Sequence, residues 1–273
     1  MRTIEVNGRD LAYREAGAGQ PVVLLHAFPL TGELWRPQLE GLSAQMRVIA
    51  PDLAGFGGST APDEPGAYSV DGWARDVAAL LDELGIGRAI VGGLSMGGYA
   101  AMAFARLFPE RVQALILADT RAEADAPAVK EKRTVQARMA IEGRKGELIE
   151  QLLPPLLAEA TRRERPDLVA RVRAWMESVP AAGYAGALHA MRERPDATPA
   201  LAALAVPSLL LCGAEDALTP PEPMRGMQAR IPGAKLAVIP GAGHLSSLEA
   251  PAAFGREVAG FVAAVAALGD VRT

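Results

Sequence analysis

The sequence predicts an α/β fold: a mostly parallel sheet flanked by helices, with a helical insert. Three observations predict it. Short apolar runs alternate with helical patterns near both ends of the chain. That alternation stops between residues 121 and 199, where only helical patterns recur. Half of the 273 residues are apolar and 22% are charged, enough to bury a core of this size and too apolar for disorder.

The elements follow in chain order. Residues 3–6 and 11–15 flank Asn7-Gly8, a strong hairpin signal. Residues 21–27 (P-V-V-L-L-H-A) form a continuous apolar run, read as a buried strand, and 47–50 form another. Residues 71–84 carry Trp73, Val77, Leu80, Leu81 and Leu84 at helical spacing, with Gly85 as a stop. A strand over 88–94, a helix over 96–108 halted by Pro109, and a strand over 112–118 come next. Strands separated by helices imply parallel pairing with right-handed crossovers.

The insert reads as helices over 128–142, 147–153, 166–179 and 182–192, punctuated by Pro154-Pro155, Pro180 and Pro195. The alternation then resumes: strand 206–212, helix 221–231, strand 235–239 and a last helix over 251–268. The expected organisation is one core domain made of 1–120 and 200–273, with 121–199 as a cap. An insert at the carboxyl ends of parallel strands lies over the ligand crevice.

Charge and composition exclude several functions. The net charge of −4 gives no electrostatic footprint for nucleic acid, and 13 aromatic residues offer few stacking platforms. The single cysteine, Cys212, rules out an internal disulfide and a cysteine zinc site. It lies in an apolar run and reads as buried filler. No clustered ligands suggest a metal, and no P-loop or dinucleotide fingerprint suggests a cofactor. No run of 18 apolar residues is present, and the amino terminus alternates like a strand rather than a signal peptide. The expectation is a soluble cytoplasmic protein, monomeric or dimeric, without a membrane or nucleic-acid partner.

The sharpest chemical signal is Gly93-Leu94-Ser95-Met96-Gly97, a G-x-S-x-G placed between an apolar strand and an apolar helix. A tight strand-to-helix turn holds a serine in a strained conformation with its hydroxyl exposed, and glycines on either side let neighbouring backbone pass close by. Serine is a weak nucleophile and needs a base. The chain offers His26, His189 and His244. His244, in P-G-A-G-H after the last strand, is the expected base. His26 is expected to order its own loop, and His189 to line a pocket or face solvent.

An acid must hold the imidazole in its working tautomer. Asp216, just past strand 206–212, is the expected one. Asp119, past strand 112–118, is the competitor, and otherwise caps a helix or pairs with Arg121. The oxyanion formed on attack needs two fixed donors. Met96 N–H, at a helix start, supplies one. Phe28 N–H, in the loop after strand 21–27, supplies the other. Phe28, Leu30, Leu218 and Leu245 from the core, with Trp175 and Leu188 from the insert, suggest a modest apolar crevice. The substrate expected there is a small uncharged ester, with water as second reactant.

Five segments carry a resemblance: H-A-F-P-L-T-G at 26–32, P-D-L-A-G-F-G-G-S at 51–59, G-L-S-M-G-G-Y at 93–99, G-A-E-D at 213–216 and G-A-G-H at 241–244. In this order the chain resembles the α/β-hydrolase fold family, and within it the bacterial serine carboxylesterases, near enol-lactone hydrolases and cofactor-free perhydrolases. The resemblance implies Ser95, Asp216 and His244 as a catalytic triad, Phe28 and Met96 as oxyanion donors, and no cofactor. It also implies alternatives: a lactonase or perhydrolase on the same triad, or a slow-turnover ligand sensor. Relatives that open epoxides or remove halides carry aspartate where Ser95 stands. Ala27 departs from the glycine usual in the family, and its methyl requires a negative φ. Asp52 and Ser59 are expected to brace their loop.

Overall fold

The computed structural model describes residues 1–62 and 64–270. Its core is an eight-stranded sheet made of β1 (Arg2–Val6), β2 (Arg9–Ala16), β3 (Pro21–Leu25), β4 (Arg47–Pro51), β5 (Ala89–Leu94), β6 (Val112–Ala118), β7 (Ser208–Gly213) and β8 (Lys235–Ile239). The spatial order is β1-β2-β4-β3-β5-β6-β7-β8. β1–β2 and β2–β4 pair antiparallel, and every later pair is parallel. β5 and β7 are buried at every position, as a parallel sheet covered on both faces requires.

Helices α1 (Arg36–Leu42), α2 (Val70–Glu83), α3 (Met96–Leu107), α10 (Pro221–Arg230) and α12 (Pro251–Asp270) accompany the sheet. α2 shows why such segments fold: Ser69 caps it through Gly72 N–H, and Trp73, Val77, Leu80 and Leu81 share its buried face. Between β6 and β7 the described residues form only helices: α4 (Pro127–Ile141), α5 (Lys145–Leu152), α6 (Glu159–Glu164), α7 (Pro166–Ser178), α8 (Ala181–Glu193) and α9 (Thr198–Leu201). Arg194 ties this insert to the core. It pairs with Asp125 at 2.8 Å and lies 4.1 Å over the Tyr99 ring.

Three features differ from the expectations. The run 21–27 stops being strand at Leu25, because the backbone turns at His26 and Ala27 to form a loop. The short α1, α6, α9 and α11 (Ser246–Glu249) span at most two turns, too little for a periodic signal. An 18-residue window of α12, Pro251–Leu268, reaches a mean hydropathy of 1.3, a length and composition that could cross a membrane despite Arg256 and Glu257 within it. Its Phe254, Val258, Phe261, Val262 and Val265 are buried against the core. Leu188, buried in the insert, lines a groove of about 360 Å³ between α4 and α8, shared with Pro65 and His189.

Candidate active site

The parallel register brings distant residues to one edge. Leu25 pairs with Gly93, Leu94 with Ala118, Ala118 with Leu211, and Gly213 with Ile239. Ser95, Asp119, Asp216 and His244 each follow the carboxyl end of one of these strands, where open α/β sheets bind ligands.

Ser95 sits at φ 55° and ψ −111°, outside the regions a serine ordinarily adopts. The surrounding backbone fixes it there. Its N–H donates to Ala118 O at 2.9 Å, while its carbonyl accepts from Thr120 Oγ1 at 2.9 Å and Tyr99 N–H at 3.2 Å. The flanking glycines are sterically required. A Cβ on Gly93 would lie 2.1 Å from Gly97 C and O, and one on Gly97 would lie 2.1 Å from Leu25 O. Met96 opens α3, so its N–H belongs to the first-turn donors that lack an intrahelical acceptor and favour negative charge.

His244 and Asp216 form the polar centre. His244 Nδ1 lies 2.8 Å from Asp216 Oδ2, and both residues are buried. Asp216 Oδ1 also accepts from Leu218 N–H at 2.8 Å and Thr219 N–H at 2.9 Å, and Thr219 Oγ1 donates to Oδ2 at 2.5 Å. Burial alone would raise this carboxyl, but the charge and hydrogen bond of His244 and the bonds from Thr219 outweigh it and hold it at about 2. Asp216 is therefore an anion able to orient the ring. Among the described residues no hydrogen bond joins Ser95 to His244, a contact that is commonly long until substrate binds.

Asp119 takes neither role foreseen for it besides acid. It caps no helix, and Arg121 instead donates to Leu218 O. Asp119 is fully buried, has φ 44°, and accepts from Gly213 N–H at 2.7 Å and from Ser246 Oγ. Burial, then the neighbouring Asp216 charge, pushes its carboxyl well above the usual range.

His26 orders its loop, as expected. Its Nδ1 lies 3.0 Å from Ala27 O and its Nε2 accepts from Leu53 N–H at 3.0 Å, which fixes a neutral tautomer with the proton on Nδ1. Burial lowers its pKa to about 4. Ala27 is absent from the described positive-φ residues, so its methyl fits. Asp52 and Ser59 brace the adjoining loop: Asp52 accepts from Gly32 N–H at 2.7 Å and Gly58 N–H at 2.9 Å, and Ser59 Oγ donates to Asp52 O at 2.5 Å.

This order of strands, with a serine on a strained turn after β5, an acid after β7 and a histidine after β8, decides the family. A family model described as the alpha/beta hydrolase fold matches residues 20–251. The chain belongs to the α/β-hydrolase fold family. A thermophilic esterase from Thermogutta terrifontis, solved with malate bound, is 41% identical, with a TM-score of 0.92 over 96% of this chain and 97% of that one. The enol-lactonase of Burkholderia xenovorans is 30% identical, with a TM-score of 0.88 over 96% of this hydrolase and all of that chain. 3-Oxoadipate enol-lactonase 2 of Acinetobacter baylyi is 30% identical over 93% of this chain and 94% of its own length. Epoxide hydrolase 2 of Siraitia grosvenorii is 40% identical over 115 residues, but the match covers only 36% of its length.

The six expected pocket residues of the hydrolase are placed unevenly. Leu30 and Leu245 are fully buried, Phe28 and Trp175 are half-buried, and Leu218 is exposed. Phe28 meets Tyr184 of α8 edge-to-face, with centroids 5.4 Å apart, so the expected oxyanion loop touches the insert. A cavity of about 510 Å³ lies elsewhere, lined by Tyr99, Met102, Arg106, Arg194, Leu201 and Leu204, and none of Ser95, Asp216 and His244 reaches it. Sequence reasoning missed Thr219, Ser246 and Glu249. Thr219 had a signal: a threonine three residues after an aspartate in a turn can bond back to that carboxylate. The other two depend on tertiary contacts.

Proposed function

We propose that this hydrolase is a serine carboxylesterase acting on small, uncharged esters. The observation that carries the proposal is the buried 2.8 Å contact of His244 Nδ1 with an ionised Asp216, at the same sheet edge as a serine held at positive φ. His244 Nε2 takes the proton of Ser95 Oγ as that oxygen attacks the ester carbonyl carbon. The N–H groups of Phe28 and Met96 stabilise the oxyanion. The tetrahedral intermediate collapses, the C–O bond to the alcohol breaks, and the alcohol leaves with the proton held by His244. Water then loses a proton to His244 and attacks the acyl carbon; the bond from that carbon to Ser95 Oγ breaks, the acid is released, and Oγ takes the proton back from His244.

The similarity to two enol-lactonases over nearly the whole chain favours lactone hydrolysis as the second reading, since ring opening uses the same attack. Epoxide opening in this fold would need a carboxylate at position 95, where Ser95 stands. Steady-state turnover of p-nitrophenyl esters of graded length, beside a panel of lactones, tests the proposal. An esterase turns over the short esters with the larger kcat/KM, whereas a lactonase reverses that order. Single-event labelling without turnover would mark a sensor and overturn both readings.

A further inference from the structure

We propose that Glu249 is a positioning residue for His244, a carboxylate clamp that fastens the histidine loop to the helical insert. The inference rests on the reading of His244 as the base.

The loop after β8 has no regular structure until α11, so its ring must be fixed by tertiary contacts. Glu249 closes α11 and its carboxylate turns back under the loop. Oε1 accepts from Gly243 N–H at 2.9 Å, and Oε2 accepts from Ala158 N–H at 2.8 Å. One side chain therefore bonds the residue before His244 and the insert together. The residue after His244 is tied to the same strip, because Leu245 N–H donates to Leu156 O at 3.1 Å. The two backbones lie so close that a Cβ on Gly243 would stand 2.5 Å from Ala158 N. Arg165 completes the joint, its Nη1 donating to Glu249 O at 2.9 Å and Leu248 O at 3.4 Å.

The chemistry requires a carboxylate. Each oxygen takes an N–H from a different segment, and glutamine has only one oxygen to offer. Aspartate is one methylene shorter and cannot reach both donors. The guanidinium of Arg165 donates to main-chain carbonyls, while the buried Glu249 carboxylate accepts from the backbone N–H groups of Gly243 and Ala158. Burial raises its pKa, and bonds from Thr161 and the backbone work against that rise. From the core side the loop is held by Ser246 Oγ on Asp119 and by Gln38 Nε2 on Ser247 O at 3.0 Å. The ring of His244 is thus set between the core and the insert, and Glu249 supplies the contact on the insert side.

The test uses the full chain, a p-nitrophenyl ester, and titration with a serine-directed phosphonate to count working sites. Glu249→Gln is expected to lower kcat per titrated site about tenfold while KM stays within threefold. Arg165→Met, which leaves the carboxylate in place, is expected to lower it about threefold and serves if Glu249→Gln fails to fold. Loss of titratable sites with an unchanged rate per site in the folded variants would show a purely structural role and overturn the proposal. So would a Glu249→Gln enzyme within twofold of the parent. A parent that neither turns over ester nor labels fails before any variant is compared, and takes the serine-esterase reading with it.

Discussion

Asp119 and Asp216 stand at the ends of adjacent strands and are driven apart in acidity. Burial and the neighbouring charge push Asp119 well above the carboxylate range, while His244 and Thr219, against burial, hold Asp216 near 2. Two acids at one sheet edge then have separate duties: Asp216 carries the charge that faces the imidazole, and Asp119 braces Gly213 and Ser246.

Substitution separates these duties. Asp216→Asn removes the charge beside His244 and favours the wrong ring tautomer, with an expected loss in kcat on the order of 10⁴-fold. Asp119→Asn keeps the shape and is expected to cost less than about tenfold. Steady-state kinetics of the two variants check this, and the reverse order would move the acid to the end of β6.

The buried, neutral His26 makes the fold sensitive to acid. Its folded pKa is about 4, against an ordinary value of 6.5 in the open chain. The unfolded state therefore binds the extra proton between pH 6.5 and 4. Stability is complete above that window and falls as pH drops through it, by about 3 kcal/mol at most. Urea unfolding at pH 7 and pH 4.5 measures the fall. His26→Gln keeps an acceptor for Leu53 N–H and is expected to flatten the dependence.

Acyl length reports on the insert. Each buried methylene contributes up to about 0.8 kcal/mol, so kcat/KM is expected to climb with chain length. The climb should end at roughly four to eight carbons, the size of ordinary small-ligand crevices. A preference still rising at sixteen carbons would show an open, lipase-like groove.

Much of this was legible in the sequence because the residues concerned are local. The elbow is five consecutive residues with strand before and helix after. Asp216 and His244 each lie within a few residues of a strand end, and chain order alone pairs them. The helical insert announced itself by the absence of strand patterns. What the sequence concealed depends on contacts between distant segments. Glu249 and Ala158 are 91 residues apart, and Ser246 and Asp119 are 127 apart. Leu188 shows the same limit: helical periodicity marks it as buried but does not say against which neighbour.

The central claim is that Ser95 is the nucleophile, and a paired experiment on Ser95→Ala tests it most directly. The variant is expected to keep the parent's unfolding midpoint and to lose ester turnover by a factor on the order of 10⁴ or more, the remainder coming from binding and the oxyanion donors. A serine-directed phosphonate should add one equivalent to the parent and none to the variant, by intact mass. A folded Ser95→Ala enzyme within tenfold of the parent rate, or labelled like the parent, would contradict the account.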